Sequence, residues 1–149
     1  MFEQSISVLN NLIQVNKDTE EGFRIAADNV EDASLKKVFL NKANTHQMAV
    51  RSLQGHVANM DGEYEEGGTM LGSLHRGWIN LKGTLTGNDS YAILEECEKG
   101  EDVAKAAYAK ALEHDLQQNV RSLIQGQYET VIKDHDQMRD LRDSYRASI

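Results

Sequence analysis

No proline occurs anywhere in the 149 residues. Proline in a helix interior removes a hydrogen-bond donor and clashes with the preceding turn, so its absence permits long uninterrupted helices. There is one cysteine, Cys97, which excludes an intramolecular disulfide and a cysteine-based zinc cluster. Positive charge is scarce: 16 Lys and Arg stand against 24 Asp and Glu, for a net charge of −8. A nucleic-acid partner is therefore not expected, because a protein must supply cations to replace phosphate counterions. An anionic membrane surface is disfavoured for the same reason, and a cation is favoured over an anion as ligand. No apolar run approaches the length of a membrane span. The opening MFEQSISVLNNLIQ has no basic n-region and no small-residue cleavage site, so it does not read as a signal peptide. The expectation is a cytoplasmic protein, with a second copy of the chain as the partner left open.

What remains is a chain of one-domain size, 40% apolar and 27% charged, as in ordinary globular proteins. Helical spacing runs through four long segments. The first covers about 4–29, with Ile6, Leu9, Ile13, Glu20, Phe23, Ala27 and Val30 on one face and Asn16 filling a gap. The second covers about 33–60 behind Asp32, a candidate N-cap, with Leu35, Phe39, Ala43, His46, Val50, Leu53, Val57 and Met60. The third covers about 91–114, with Leu94, Cys97, Glu101, Ala104, Tyr108 and Leu112. The fourth covers about 120–146, with Val120, Ile124, Tyr128, Val131, His135 and Met138. No convincing strand, short repeat or low-complexity tract is found.

Short links join the first segment to the second and the third to the fourth, which makes antiparallel neighbours. The middle link, about 61–89, is long and carries its own helical stripe of Leu71, Leu74, Trp78, Leu81 and Leu85. Two hairpins joined by one long crossover is the ferritin-like topology in a single all-α domain.

Each long segment places one ionisable residue in its apolar stripe: Glu20, His46, Glu101 and His135. A buried lone charge is costly, so the four are expected to pair or to hold a metal. Within each hairpin their depths are similar, at about 1.5 Å of rise per residue. Plainer readings stand beside this one. His46 fits a hydrogen-bonded core histidine. Glu20 beside Glu21 fits a solvated edge. Glu101 lies in the acidic run EECEKGED, where Glu98 on nearly the same face could replace it. Asp136 offers His135 a partner next door. Gly22, Gly100 and Gly126 inside helical patterns point to close helix packing or to room for a ligand. Tyr108 and Tyr128 fit core tyrosines with a satisfied hydroxyl.

The stretches DTEEGF, LHRGW, ILEECEKGED and QYETVIKDHDQMRDLR together resemble an uncharacterised bacterial family of ferritin-like four-helix-bundle proteins, over nearly the whole chain. The resemblance implies that fold and a family of unknown biochemical function with suspected metal binding. The wider di-iron proteins of this fold use a Glu on two helices and Glu-x-x-His on the other two. By position, Glu20 and Glu101 (or Glu98) would be the lone carboxylates, and His46 and His135 the histidines. The bridging glutamates are replaced by Ala43 and Ile132. A di-iron oxidase or ferroxidase is therefore not expected. The expectation is a protein without an assigned reaction that holds one zinc, manganese or iron(II) ion, or a small ligand, through Glu20, His46, His135 and Glu101, or Glu98 in place of Glu101. The alternative is a non-catalytic structural or interaction protein with an empty polar layer.

Overall fold

Four helices form where the apolar spacing places them. The computed structural model describes residues 3–60, 62 and 90–148. Its helices are α1 (Glu3–Asn29), α2 (Ala33–Asn59), α3 (Ser90–Ala111) and α4 (Gln118–Ser148), with no strand among the described residues. This all-helical arrangement is consistent with a four-helix bundle. The expected crossover helix with Trp78 lies outside the described residues.

Asp32 caps α2 as expected. Its side chain accepts from the N–H groups of Ser34 at 2.8 Å and Leu35 at 3.2 Å. These would otherwise be orphan donors of the first turn. The third helix stops three residues before the expected end. After Leu112 the chain tightens, with Glu113 N–H on Lys110 O and His114 N–H on Ala111 O. Arg121 of α4 closes that end by donating to the carbonyls of Leu112 at 3.0 Å and His114 at 2.6 Å. A cation there also suits the negative end of the helix dipole.

The first pair of helices packs tightly, as does the second, and α1 joins the pairs by lying against α3. By contrast α2 and α4 scarcely touch. Gln4 at the start of α1 meets His114 just past α3, and Ser5 meets Gln117. At the other end Tyr145 of α4 donates to Asp32 in the α1–α2 link. Helices α1 and α4 therefore run one way, and α2 and α3 the other.

The core is mainly aliphatic, with Leu9, Leu12, Ile13, Leu53, Ile93, Leu94 and Ile124 fully buried around Phe23, Phe39 and Tyr108. Burying such a side chain contributes about 1.5–3 kcal/mol. Asn16, Lys42, His46, Glu101 and Asp134 interrupt this core at mid-height. No described helix is long and apolar enough to cross a membrane.

Candidate functional site

His46 stands at the centre of the polar layer, 2% exposed. Its ring stacks on Phe23, with centroids 6.0 Å apart and planes inclined by 16°. Its Nδ1 lies 2.7 Å from Asn16 Oδ1 and its Nε2 lies 2.8 Å from Glu101 Oε1. Asn16 in turn donates through Nδ2 to Leu12 O at 2.8 Å and to the Tyr108 hydroxyl at 2.7 Å. Tyr108 donates to Gln127 Oε1 at 2.7 Å. One connected network thus joins all four helices.

The network dictates where protons sit. Both Asn16 Nδ2 hydrogens are used on acceptors, so Oδ1 must face His46. That oxygen only accepts, so His46 Nδ1 carries a proton. One further proton is then shared between His46 Nε2 and Glu101 Oε1. The pair is either imidazolium with carboxylate or imidazole with carboxylic acid. Burial holds the Tyr108 phenol well above its ordinary pKa, with the Asn16 hydrogen bond opposing and Glu101 reinforcing, so its hydroxyl remains a donor.

Asp134 completes the layer. One of its oxygens, Oδ1, accepts from Lys42 Nζ at 2.6 Å, and Lys42 also meets Gln137. His46, Glu101 and Asp134 each present one ligand-type atom within 4.8 Å of the other two, and all three residues are buried. Glu101 Oε2 and Asp134 Oδ2 are buried without a hydrogen-bond partner among the described residues. Leaving such an acceptor unsatisfied costs about 1–3 kcal/mol, and more when it is charged.

Of the expected site residues, the structure brings His46 and Glu101 together in this layer and Glu98 and His135 together in a separate group with Asp102. Glu20 does not reach the layer. It is half-buried one turn nearer the α1–α2 link, level with Lys42, and its Oε2 accepts from Arg24 Nε at 2.9 Å. Asn16 takes its place, because Asn16 and His46 are both fifteen residues from Glu31 at the hairpin turn. Glu98 and His135 lie in a second cluster, in which Glu98 pairs with Arg142 and His135 Nε2 with Asp102. Asp136 also meets His135 Nδ1, at 3.1 Å. The Asp136 carboxyl is held below its ordinary pKa, first by that hydrogen bond.

Asp134 lies beside the expected stripe of α4, whose Val131, His135 and Met138 are buried as expected, and it is buried along with them. Tyr108 faces Gln127 across the α3–α4 hairpin. Seven residues further from the turn on each helix stand Glu101 and Asp134, which is about two turns. His135 is rotated from Asp134 by about 100° and so turns toward Asp102. Lys42 did carry a signal, since it lies four residues before His46 and on the same face.

A cleft of about 350 Å³ opens between α2 and α4. His46, Tyr108, Gln127 and Asp134 line it together with Met48, Ala49, Leu123 and Val131 and the hydroxyl residues Thr45, Ser52, Ser122 and Thr130. The polar layer is therefore reached from one side.

No curated protein matches the chain. The family model described as Domain of unknown function (DUF2383) matches residues 4–114, which include Asn16, Lys42, His46, Glu101 and Tyr108 but not Gln127 or Asp134. With most of its length matched, including three of its four described helices and most of the buried network, the chain belongs to the DUF2383 family of domains of unknown function.

Proposed function

We propose that this protein binds one divalent cation in the core of a ferritin-like bundle, held by His46, Glu101 and Asp134. The observation that carries this reading is that His46, Glu101 and Asp134 group their ligand-type atoms in the core while Glu101 and Asp134 each keep one buried carboxylate oxygen, Oε2 and Oδ2, without a hydrogen bond among the described residues. A cation would satisfy both at once. Asn16 supports it, since an acceptor on Nδ1–H leaves Nε2 as the metal-facing nitrogen. The helix directions, with α1 and α4 opposed to α2 and α3, support the ferritin-like topology. Zinc, manganese and iron(II) all accept one imidazole and two carboxylates. The dinuclear centre of di-iron proteins does not fit, because Ala43 and Ile132 supply no bridging carboxylate.

Elemental analysis of untagged protein purified without chelator tests the reading. About one equivalent of metal is expected, with a melting temperature that rises on adding the ion. Affinity should rise with pH, because the proton between His46 and Glu101 must leave. Glu101→Gln and Asp134→Asn should each weaken binding. No stoichiometric metal and no thermal shift with any of the three ions would overturn it.

One observation favours a second reading, a metal-free structural layer: Lys42 already neutralises Asp134, and His46 already pairs with Glu101. Such layers are retained for packing specificity in some proteins. The same metal analysis separates the two.

A further inference from the structure

The metal-loaded layer would carry a charge imbalance. A divalent cation offsets Glu101 and Asp134, and His46 is neutral once Nε2 has lost its proton. Lys42, 2.6 Å from Asp134 Oδ1, adds one positive charge that no other member of the layer cancels. Three protein atoms also leave the coordination of such an ion incomplete. The remaining approach is from the α2–α4 cleft, whose lining includes His46 and Asp134. A buried net charge is costly, so the missing ligand should be an anion of single charge. Thr45, Ser52, Ser122 and Thr130 line the cleft beside Met48, Ala49, Leu123 and Val131, but most of its lining surface is apolar, so the rest of that ligand should be apolar.

We propose that the metal site, once loaded, takes a small monocarboxylate with an aliphatic body, its head on the metal and its tail along the α2–α4 cleft. The proposal rests on the metal reading above. The carboxylate completes the ion's ligands and neutralises the layer. Its tail displaces water from the cleft walls, which contributes about 0.8 kcal/mol per buried methylene.

Gly126 gives a way to close the cleft without disturbing the fold. It lines the cleft, and a Cβ placed on it would meet nothing within 4 Å. Gly126→Leu therefore adds a side chain where there is open space.

The test uses the full chain loaded with cobalt(II), whose visible spectrum reports its ligands. Hexanoate, acetate and hexylamine are titrated separately. Hexanoate should perturb the spectrum and saturate. Acetate should do so at least about tenfold more weakly, because it lacks the tail. Hexylamine, with a similar tail and the opposite charge, should leave the spectrum unchanged. In Gly126→Leu, cobalt should bind as before and the hexanoate response should weaken at least about tenfold. Cobalt bound with no response to hexanoate overturns this proposal alone. So does a response equal for hexanoate and acetate, or one untouched by Gly126→Leu. Failure to bind cobalt overturns the metal reading, and this proposal with it.

Discussion

His46 Nδ1 lies 2.7 Å from Asn16 Oδ1, and that contact decides which edge of the imidazole faces Glu101. The choice is made on a different helix from either member of the ion pair. Asn16 is in turn pinned by Leu12 O and Tyr108.

Asn16→Ala should therefore harm more than packing. It removes the acceptor for Nδ1–H and the donor to Tyr108, leaving buried groups unsatisfied at about 1–3 kcal/mol each. Metal affinity should fall by about 10–100-fold, as when other outer partners of ligating histidines are lost. Urea unfolding and a metal titration of the same variant check both. Unchanged affinity with lowered stability would restrict Asn16 to a packing role.

Lys42 and Asp134 are nearly buried as a pair. Lys42→Met leaves the Asp134 charge uncompensated and should cost about 3–5 kcal/mol in urea unfolding of the metal-free protein. The double variant Lys42→Met/Asp134→Leu should be clearly more stable than Lys42→Met alone, because it removes the stranded charge. Equal losses in single and double variants would show that the pair is not coupled.

The bond from Tyr145 to Asp32 ties the end of α4 to the cap of α2. It holds the Asp32 carboxyl below its ordinary 3.8, helped by the Leu35 and Ser34 N–H groups and opposed by partial desolvation. It holds the Tyr145 phenol up, from 10.0 to about 12. The Asp32 contribution is present above pH 3.8 and is lost as pH falls through its lowered folded value. The Tyr145 contribution is present below pH 10.0 and is lost as pH rises toward about 12. The melting temperature of the parent should exceed that of Tyr145→Phe most between those limits. A difference that does not vary with pH would refute the coupling.

Cys97 is fully buried, and burial raises its thiol well above the ordinary pKa, with Glu101 and Glu96 adding to the rise. It should behave as a small apolar side chain. In native protein a thiol reagent should react only as fast as the chain opens, and fully in denaturant. Rapid labelling of folded protein would contradict the burial. Cys97→Ala should change stability far less than Asn16→Ala.

Much of the fold was legible in the chain. The absence of proline, the Asp32 cap and the apolar stripes gave helix starts within two residues of those seen, because capping and amphipathic spacing are local properties. The end of α3 was less legible, since Arg121 of the next helix helps to close it. That a polar layer crosses the core at mid-height was also visible, in His46 and Glu101.

Which residues enter that layer was decided by the tertiary structure. Asp134 and His135 are both buried and differ in direction by about 100°, so which of them faces His46 depends on how α4 is set against the other helices. The hairpin register set Asn16, and not Glu20, opposite His46. The approach of the two hairpins joined His46 to Glu101 across a separation of 55 residues, which helical periodicity within either segment does not encode. The sequence by itself determined four helices and their buried faces. Only their packing determined that Asn16, His46, Glu101 and Asp134 meet, because that depends on distances between helices.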